Sequence, residues 1–336
     1  MYVVTGAAGM IGANIIKAMN EAGIDNIIAV DNLANGDKFR NMVDLNIVDY
    51  YDKRDFRKLV ASGELNGKIK AVLHQGACSA TTETDGLYVM DNNYRYSVEL
   101  LHFCQAQKIP FLYASSAAVY GRSVIFTETP VNEGPLNVYG YSKLLFDQYV
   151  RRVLPKKTAQ IVGFRYFNVY GQREGHKGSM ASVAYHFFNQ YINEGHVRLF
   201  SGTEGVANGE QLRDFVYVDD IAKANLWFLQ NGHTSGVFNL GTGKAATYNE
   251  MAMTVINTVH RLQQLPESTL SDLQKAGAIR YIPFPEHLKG KYQNFTQANL
   301  TDLRERGNYT SDFLSITEAV PLYVEQLYIL RQQGIA

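Results

Sequence analysis

Three glycines at three-residue intervals near the start of the chain constrain its fold more than any other feature. They lie in TGAAGMIG, from Thr5 to Gly12, directly after the β-branched stretch YVVT and before an amphipathic segment. Gly6 permits a tight turn, Gly9 lets the backbone approach a pyrophosphate, and Gly12 allows close helix packing. This order of strand, glycine turn and helix predicts the first unit of a dinucleotide-binding parallel sheet.

The first half of the chain alternates short β-branched runs with longer amphipathic segments, as in a sheet covered by helices on both faces. The predicted strands are residues 2–5, 26–31, 71–77, 110–116 and 160–166, and the predicted helices are 11–22, 88–107 and 139–153. We therefore expect an α/β fold of the Rossmann type, a doubly wound parallel sheet. In such sheets ligands bind at the carboxyl ends of the strands.

The alternation loosens after Tyr166, where the sequence becomes rich in glycine and aromatic residues, and strand-like runs return at 214–222 and 237–243. We predict a dinucleotide-binding domain of residues 1–167 plus 213–257, and a smaller discontinuous α/β substrate-binding domain of residues 168–212 plus 258–336. The cleft between the two domains is the expected ligand site. Residues 205–211 and 260–274 are predicted to be mobile surface loops.

Composition excludes several classes of function. Lys+Arg and Asp+Glu each total 32 of the 336 residues, and no tract of one sign suggests binding to nucleic acid or to an anionic membrane. Two cysteines, Cys78 and Cys104, cannot form a disulfide framework and lack metal-ligand spacing. No basic leader follows Met1, and no run approaches the roughly 18 apolar residues of a membrane span. We expect a cytoplasmic protein with no bound metal and no nucleic-acid or membrane partner.

The segment YGYSK places Tyr139 and Lys143 four residues apart, on one face of a predicted helix. Ser115 and Ser116 end a preceding strand. A free tyrosine has a pKa of about 10, so a tyrosine that acts as a base near neutral pH needs a nearby cation. Lys143 and the positive charge of a nicotinamide would supply it, and Ser116 would hold a substrate oxygen.

The choice between NAD and NADP stays open on local chemistry. Asp31, at the end of the second predicted strand, is placed to accept hydrogen bonds from the ribose hydroxyls, which favours NAD. Lys38 and Lys53, in predicted loops after strands two and three, could instead neutralise a 2′-phosphate. Each could equally be a solvated surface charge.

These motifs together resemble the extended short-chain dehydrogenase/reductases that act on nucleotide sugars, the NAD-dependent epimerase/dehydratase family. The stretches HQGACSATTETDG, FRYFNVYGQREGHKGSMASVA, RDFVYVDD, FNLGTG and PFPEHLKGKYQNFTQA are most similar to the branch that epimerises ADP-heptose. The resemblance spans nearly the whole chain. It implies a C6 epimerase of lipopolysaccharide core biosynthesis with one tightly bound NADP per subunit, NAD being less favoured. It also implies a homo-oligomer, specifically a homopentamer.

The resemblance also implies which side chains contact each ligand. The residues expected around the dinucleotide, with the three glycines, are Gly6, Gly9, Met10, Ile11, Gly12, Asp31, Asn32, Lys38, Lys53, Gln75, Gly76, Ala77, Cys78, Ser79, Asn92, Lys143, Val169 and Lys177. The residues implied around ADP-heptose are Asn168, Ser179, His186, Phe200, Ser201, Gly202, Thr203, Arg213 and Tyr292. The catalytic residues implied are Ser116, Tyr139, Lys143 and Lys177. By contrast, we interpret His74 as a packed core residue.

An epimerase returns the hydride that it removes, so its bound NADP is never spent. The resemblance implies oxidation of C6 to a transient 6-keto intermediate, which turns in the site and is re-reduced on its other face. Turning also moves the oxygen, and one tyrosine fixed on a helix cannot reach both positions. Lys177, between Gly175 and Gly178 in a stretch without helical or strand periodicity, resembles the family's second proton-transfer residue. Tyr139 then serves the other epimer.

Two other functions remain as alternatives. A UDP-galactose 4-epimerase uses one tyrosine, because the whole ring flips, and it needs no residue like Lys177. A dinucleotide-sensing module without turnover is less favoured, since the chain keeps Ser116, Tyr139 and Lys143 together. A 4,6-dehydratase would need a carboxyl pair after Ser116, where this chain has alanines.

Overall fold

A computed structural model describes residues 1–203, 205–286 and 293–334 of the protein. Its strands there are β1 Tyr2–Thr5, β2 Ile27–Asp31, β3 Asp49–Asp52, β4 Ala71–His74, β5 Phe111–Ser116, β6 Ile161–Tyr166, β7 Asn168–Tyr170, β8 Val197–Phe200, β9 Leu212–Arg213, β10 Phe215–Tyr217, β11 Gly236–Leu240, β12 Ala246–Thr247 and β13 Ile279–Ile282. Its helices are α1 Met10–Glu21, α2 Lys53–Ser62, α3 Gly86–Val89, α4 Tyr96–Gln107, α5 Val138–Val153, α6 Val183–Glu194, α7 Val218–Gln230, α8 Tyr248–Leu262, α9 Leu270–Lys275, α10 Thr301–Glu305 and α11 Ile316–Gln332. Among these helices, none combines the length and the apolar character that a membrane span requires.

The chain divides into two compact units, each built from three separate segments. Unit 1 comprises Met1–Tyr166, Asp219–Leu240 and Asn299–Ser311, and unit 2 comprises Phe167–Val218, Gly241–Ala298 and Asp312–Ala336. These bounds differ from the predicted ones at residues 167, 213–218, 241–257 and 299–311. Residue 167 and residues 213–218 fall in unit 2, where β10 pairs with β7. Residues 241–257 fall in unit 2, because β12 pairs with β9 and α8 packs against α6 and α11. Residues 299–311 fall in unit 1, because α10 packs against β11.

Unit 1 contains a seven-stranded parallel sheet in the order β11, β6, β5, β4, β1, β2, β3. Strands β2, β4 and β6 are buried along their whole length, as expected for strands covered on both faces. The predicted Rossmann-type α/β fold is therefore confirmed. Strand order reverses between β1 and β4, and the carboxyl ends of these two strands form the topological switch point where such sheets bind ligands.

Strand β3 and the break in the predicted helix 88–107 were not foreseen. The sequence of β3, DYYD, is short and begins and ends with acidic residues, so it lacks an apolar run. Between α3 and α4, Met90–Arg95 forms a π-helical turn that buries both Asn92 and Asn93. Apolar periodicity does not distinguish such a turn from a regular helix, and π turns are frequent at functional sites.

Unit 2 combines small sheets with packed helices. β7 pairs with β10 and β8 with β13, both parallel, whereas β9 and β12 are antiparallel. Helices α6, α8 and α11 pack against one another. The buried carboxylate of Asp214 accepts hydrogen bonds from the backbone N–H groups of Thr242, Gly243 and Ala298. One acidic side chain therefore joins segments of unit 2 that are distant in sequence.

Two further predictions about segments differ from the structure. The strand-like run 214–222 contains only the short β10, and α7 begins at Val218. The predicted surface loop 260–274 includes the end of α8 and all of α9. Thr269 and Asp272 form a capping box at the start of α9. The loop was predicted from composition, which does not reveal such a local helix signal.

Candidate active site

The glycine turn between β1 and α1 brings two backbone segments into close approach. Gly6 has a φ of +67°, and a Cβ atom at this position would stand 2.7 Å from the backbone nitrogen of Gly76. Helix α1 begins after Gly9, and no side chain caps it. A helix N-terminus of this kind presents backbone N–H groups and a positive dipole end to an anion. The turn therefore fits the pyrophosphate of a dinucleotide.

Asp31, at the carboxyl end of β2, lies among residues predicted to line the cofactor. Its carboxylate accepts hydrogen bonds from the backbone nitrogens of Ala8, at 2.8 Å, and Asn32, at 2.6 Å. The Lys38 ammonium lies 2.5 Å from the same carboxylate and 3.0 Å from the Asn32 carbonyl oxygen. The structure thus brings Asp31, Asn32 and Lys38 together, with the ammonium beside the carboxylate.

Lys53 and Asn92 form a second pair of predicted cofactor residues. The Lys53 ammonium donates to the Asn92 side-chain oxygen at 2.5 Å and lies 5.6 Å from the centre of the Tyr88 ring. Burial lowers the pKa of Lys53, and the carboxylates of Asp52 and Asp31 oppose that change. The prediction that Lys53 lies in a loop is wrong, because it is the first residue of α2, which Asp52 caps.

His74 fixes the segment that follows β4. Its Nδ1 lies 2.6 Å from Thr5 Oγ1, and its Nε2 lies 2.9 Å from Ser97 Oγ. The Thr5 hydroxyl also accepts from the backbone nitrogen of Gly76 at 3.1 Å, and the Ser97 hydroxyl donates to the Asn93 carbonyl oxygen. Burial lowers the pKa of His74 to about 3, so the imidazole stays neutral. His74 is a hydrogen-bonded core residue, in agreement with its interpretation from sequence.

The predicted catalytic residues of unit 1 meet at the start of α5. Tyr139 lies in the first turn of this helix, which the Asn137 side chain caps. Its phenol shares a hydrogen bond with Ser116 at the end of β5. Lys143, one turn further along α5, is buried and donates to the Ala114 carbonyl oxygen at 2.7 Å. The structure therefore brings Ser116 against Tyr139 and places Lys143 one helical turn away.

Burial shifts the pKa of both Tyr139 and Lys143. Burial raises the pKa of Tyr139, and the hydrogen bond with Ser116 only partly opposes the rise. Burial lowers the pKa of Lys143 to about 8. Near neutral pH, Tyr139 thus holds its proton and Lys143 is largely charged.

A buried carboxylate, Asp147, joins α5 to the strands beneath it. It accepts hydrogen bonds from Tyr113 Oη, Ser115 Oγ and Arg165 Nε, each at 2.9 Å. The Asp147 and Arg165 side chains are fully buried. Sequence reasoning missed this residue, although Asp147 stands four positions after Lys143 and therefore on the same helical face. The network holds the strand end that carries Ser116 against the helix that carries Tyr139.

Lys177 lies in unit 2, in a short 3₁₀ turn at Gly175–Met180. Its ammonium lies 3.6 Å from the Glu174 carboxylate, and about a quarter of its side chain is exposed. Glu174 is buried and accepts from Ser182 N and Oγ, each at 2.6 Å, and from Tyr323 Oη at 2.9 Å. Glu174 therefore anchors the turn as well as the lysine. The role of Glu174 could not be predicted, because an acidic residue in a polar loop resembles a solvated charge.

The remaining residues predicted around the substrate also belong to unit 2. Asn168 begins β7, Ser179 shares the turn of Lys177, His186 lies in α6, Phe200 ends β8 with Ser201, Gly202 and Thr203 after it, and Arg213 ends β9. Phe200 packs edge-on against Phe284, and the Arg213 guanidinium lies 6.0 Å from the Tyr248 ring. Val169, predicted to contact the dinucleotide, pairs with Val216 in the same unit. Tyr292 lies outside the described residues.

The chain matches a known protein family and is similar to many known proteins, three epimerases among them. Residues 2–241 match the NAD dependent epimerase/dehydratase family. The ADP-L-glycero-D-manno-heptose-6-epimerase of Thiobacillus denitrificans is 56% identical over 325 residues, which cover 97% of this chain and 98% of the relative. The crystal structure of the ADP-L-glycero-D-manno-heptose-6-epimerase of Helicobacter pylori is 29% identical with a TM-score of 0.78, over 97% of this chain and 96% of that one. The UDP-glucose 4-epimerase of Thermotoga maritima, crystallised with UDP-glucose, is 25% identical with a TM-score of 0.77, over 98% and 99% of the two chains.

Proposed function

Because the chain belongs to the NAD dependent epimerase/dehydratase family, we propose that it inverts C6 of ADP-D-glycero-β-D-manno-heptose to give ADP-L-glycero-β-D-manno-heptose. The observation that carries this proposal is the 56% identity to the Thiobacillus denitrificans epimerase over 97% of the chain. The family depends on a nicotinamide dinucleotide, and the glycine turn of unit 1 fits the pyrophosphate of one. The reaction leaves this cofactor unchanged overall.

The unit 1 residues act on the C6 oxygen in one orientation of the sugar. When bound, the dinucleotide takes up the C6 hydride and gives it back. Ser116 Oγ hydrogen-bonds the C6 oxygen, and Tyr139 Oη exchanges a proton with it. Loss of the hydride and of the hydroxyl proton leaves a 6-keto sugar. Burial raises the pKa of Tyr139, which suits this residue to donate a proton to the carbonyl oxygen.

Lys177 Nζ acts on the same oxygen after the sugar has turned. Re-reduction on the opposite face of the carbonyl places the oxygen away from Tyr139, and a second group must exchange its proton. Lys177 is paired with Glu174, whose carboxylate also accepts hydrogen bonds from Ser182 and Tyr323. A lysine ammonium has three N–H donors, so those not directed at Glu174 can bind a ligand. One of Tyr139 and Lys177, unprotonated when the substrate binds, takes the C6 hydroxyl proton, and the other, protonated, gives a proton to the carbonyl oxygen on re-reduction. Proton exchange with solvent then restores both residues, and each cycle balances in protons and electrons.

We infer NADP as the specific cofactor. Lys38 lies beside Asp31, where the adenosine ribose of a dinucleotide is expected, and its ammonium would meet a 2′-phosphate there. Pairing with Lys38 also offsets the negative charge of Asp31, which would otherwise repel that phosphate. Mass spectrometry of the cofactor that co-purifies with the protein tests this choice. NADP is expected, and recovery of NAD alone would contradict it.

The proposed activity is tested by supplying two substrates to one preparation. We expect interconversion of the two ADP-heptose epimers, followed by proton NMR of the sugar, and no conversion of UDP-galactose. Conversion of UDP-galactose alone would indicate a 4-epimerase. Bound NADP without conversion of either sugar nucleotide would instead favour a dinucleotide-sensing module.

We place this activity in lipopolysaccharide core biosynthesis in the cytoplasm, which agrees with two cysteines that are both unbridged. We also propose a homo-oligomer, specifically a homopentamer. Native mass spectrometry at several protein concentrations measures the assembly directly, and a monomer throughout would contradict the proposed oligomer.

A further inference from the structure

Asn93 is a buried amide that contacts two parts of unit 1 at once. Its Oδ1 accepts from the backbone nitrogen of Cys78 at 2.7 Å, and its Nδ2 donates to the Cys78 carbonyl oxygen at 3.0 Å. The same Nδ2 donates to Ser142 Oγ on α5, also at 3.0 Å. Only 1% of Asn93 is exposed, and Ser142 is fully buried. Both amide functions are therefore engaged, and both N–H donors are used.

The π-helical turn Met90–Arg95 gives Asn93 this position. Adjacent residues of a regular α-helix point about 100° apart, so they seldom reach inward to separate partners. Here Asn92 is also buried, and its Oδ1 accepts from Lys53. The irregular turn thus allows two neighbouring asparagines to contact different parts of the predicted cofactor surroundings.

Hydrogen bonds continue from Asn93 to the backbone of Tyr139. Ser142 Oγ accepts from Asn93 and donates to the Tyr139 carbonyl oxygen at 2.7 Å. At its other side Asn93 holds Cys78, within the segment 76–79 that is predicted to contact the dinucleotide. Thr5 fixes the start of that segment through Gly76. A continuous set of side-chain hydrogen bonds therefore links the predicted cofactor segment to the helix turn that carries Tyr139.

We infer that Asn93 is a positioning residue, which holds the segment 76–79 and the first turn of α5 in a fixed relation so that cofactor and Tyr139 phenol meet in a defined geometry. The part of this inference that concerns catalysis rests on the proposed function. The part that concerns the segment 76–79 does not. Buried amides with all their hydrogen bonds made rigidify the groups that they contact, and small displacements of reacting groups are costly.

The two cysteines provide a local test that needs no enzymatic activity. Cys78 is partly exposed, whereas Cys104 is fully buried. Labelling with iodoacetamide, followed peptide by peptide with mass spectrometry, reports opening of the segment 76–79 at Cys78 and global unfolding at Cys104. Asn93→Asp keeps an acceptor for the Cys78 N–H but loses the donors to the Cys78 carbonyl oxygen and to Ser142 Oγ. We expect Cys78 to label roughly tenfold faster in this variant while Cys104 stays unlabelled.

One further variant separates the two contacts of Asn93, and a second variant serves as a control. Ser142→Ala removes the link to Tyr139 and leaves both bonds to Cys78, so we expect wild-type labelling of Cys78 but a kcat reduced roughly tenfold at unchanged KM. Asn231→Ala is a control, because Asn231 follows α7 in unit 1 and its side-chain amide donates to the Trp227 carbonyl oxygen. It should leave both labelling and kcat unchanged.

Faster labelling of Cys78 alone in Asn93→Asp supports the contact with segment 76–79, and a reduced kcat in Ser142→Ala supports the contact with α5. Unchanged labelling of Cys78 in Asn93→Asp would show that Asn93 does not hold the segment 76–79. Faster labelling of both cysteines together would show that the substitution destabilises the whole protein instead, and either result would overturn the positioning role. Absence of ADP-heptose turnover in the unmodified protein would refute the proposed function while leaving the labelling result interpretable.

Discussion

Tyr139 and Lys177, the two predicted proton-transfer residues, are held in contrasting ways. Tyr139 lies in the first turn of the long helix α5, above a fully buried Asp147–Arg165 pair and beside the hydrogen bonds of Asn93. Lys177 lies in a six-residue 3₁₀ turn, and its side chain pairs with Glu174. Local stability follows the number of buried contacts. Tyr139 is therefore fixed by an extended core, whereas Lys177 depends on one carboxylate.

Two residues with the same proposed role in proton transfer are therefore held by different numbers of buried contacts. If both residues transfer protons, each should be essential to the reaction, yet substitutions around them should have different consequences. Changes near Tyr139 should disturb a cooperative part of unit 1. Changes near Lys177 should act through Glu174 and the turn. The predictions that follow test this difference in order of expected effect.

The largest effect is expected from removing either proton-transfer group. Tyr139→Phe and Lys177→Met should each reduce interconversion by roughly 10²- to 10⁴-fold, the usual contribution of general acid–base catalysis. Both variants should keep the co-purified cofactor, measured by mass spectrometry. Wild-type turnover by Lys177→Met would show that Lys177 is not the second proton-transfer residue, and its comparison with Tyr139 would no longer hold.

Substitution of Glu174, which pairs with Lys177, should have the next largest effect on activity. Glu174→Gln replaces one oxygen with an NH₂ group that faces donors from Ser182 and Tyr323. We expect it to lower kcat roughly ten- to a hundredfold by displacing Lys177, and to reduce the free energy of unfolding by about 1–3 kcal/mol.

Tyr323→Phe is the control for this variant, because it removes one donor to Glu174 and leaves the carboxylate. It should lower stability by about 1 kcal/mol and should have little effect on kcat. Equal losses of kcat in the two variants would show that Glu174 acts only through general packing.

The pH dependence should report the surroundings of Tyr139 rather than those of Lys177. Burial lowers the pKa of Lys143 to about 8, so its positive charge is present below that pH and is lost above it. Interconversion that needs this cation should therefore decline as pH rises through about 8.

Lys143→Arg tests the assignment, because a guanidinium stays charged throughout this range. The variant should be slower but should lose the decline near pH 8 in its kcat profile. An unchanged decline would assign the titration to a different group.

The smallest effect is expected from the backbone of the Lys177 turn. Gly178 has a φ of +55° and a ψ of −129°, a conformation that residues with a Cβ rarely adopt. Gly178→Ala should cost about 1–3 kcal/mol of local strain and lower kcat severalfold. Gly175→Ala is the matched control in the same turn, since no positive φ is involved. If Gly178→Ala has wild-type kcat, the position of Lys177 does not depend on this turn.

The sequence predicted the sheet of unit 1 well because buried parallel strands carry continuous apolar runs. The observed β1, β2, β5 and β6 each begin within one residue of the predicted strands. The two-residue strands of unit 2 could not be predicted, because β9 and β12 are too short to have a period. Their pairing depends on contacts between segments distant in sequence.

The candidate site was predicted only where a motif has fixed spacing. Ser116, Tyr139 and Lys143 could be found in this way, and the structure brings Ser116 against Tyr139. Their supports could not, because Asn93 and Glu174 resemble ordinary polar residues until burial is known. The burial that raises the pKa of Tyr139 was not foreseen either, since desolvation cannot be judged from a sequence. The roles of the predicted ligand-contacting residues stay predictions.

The division of both units into three segments has a consequence for synthesis of the chain. Unit 1 is complete only when residue 311 of 336 has been added. Until β11 emerges from the ribosome, β6 remains an edge strand with unpaired backbone groups, and such edges can pair with other chains. Unit 1 is therefore completed only after most of unit 2 has been made, although the glycine turn of unit 1 precedes every segment of unit 2.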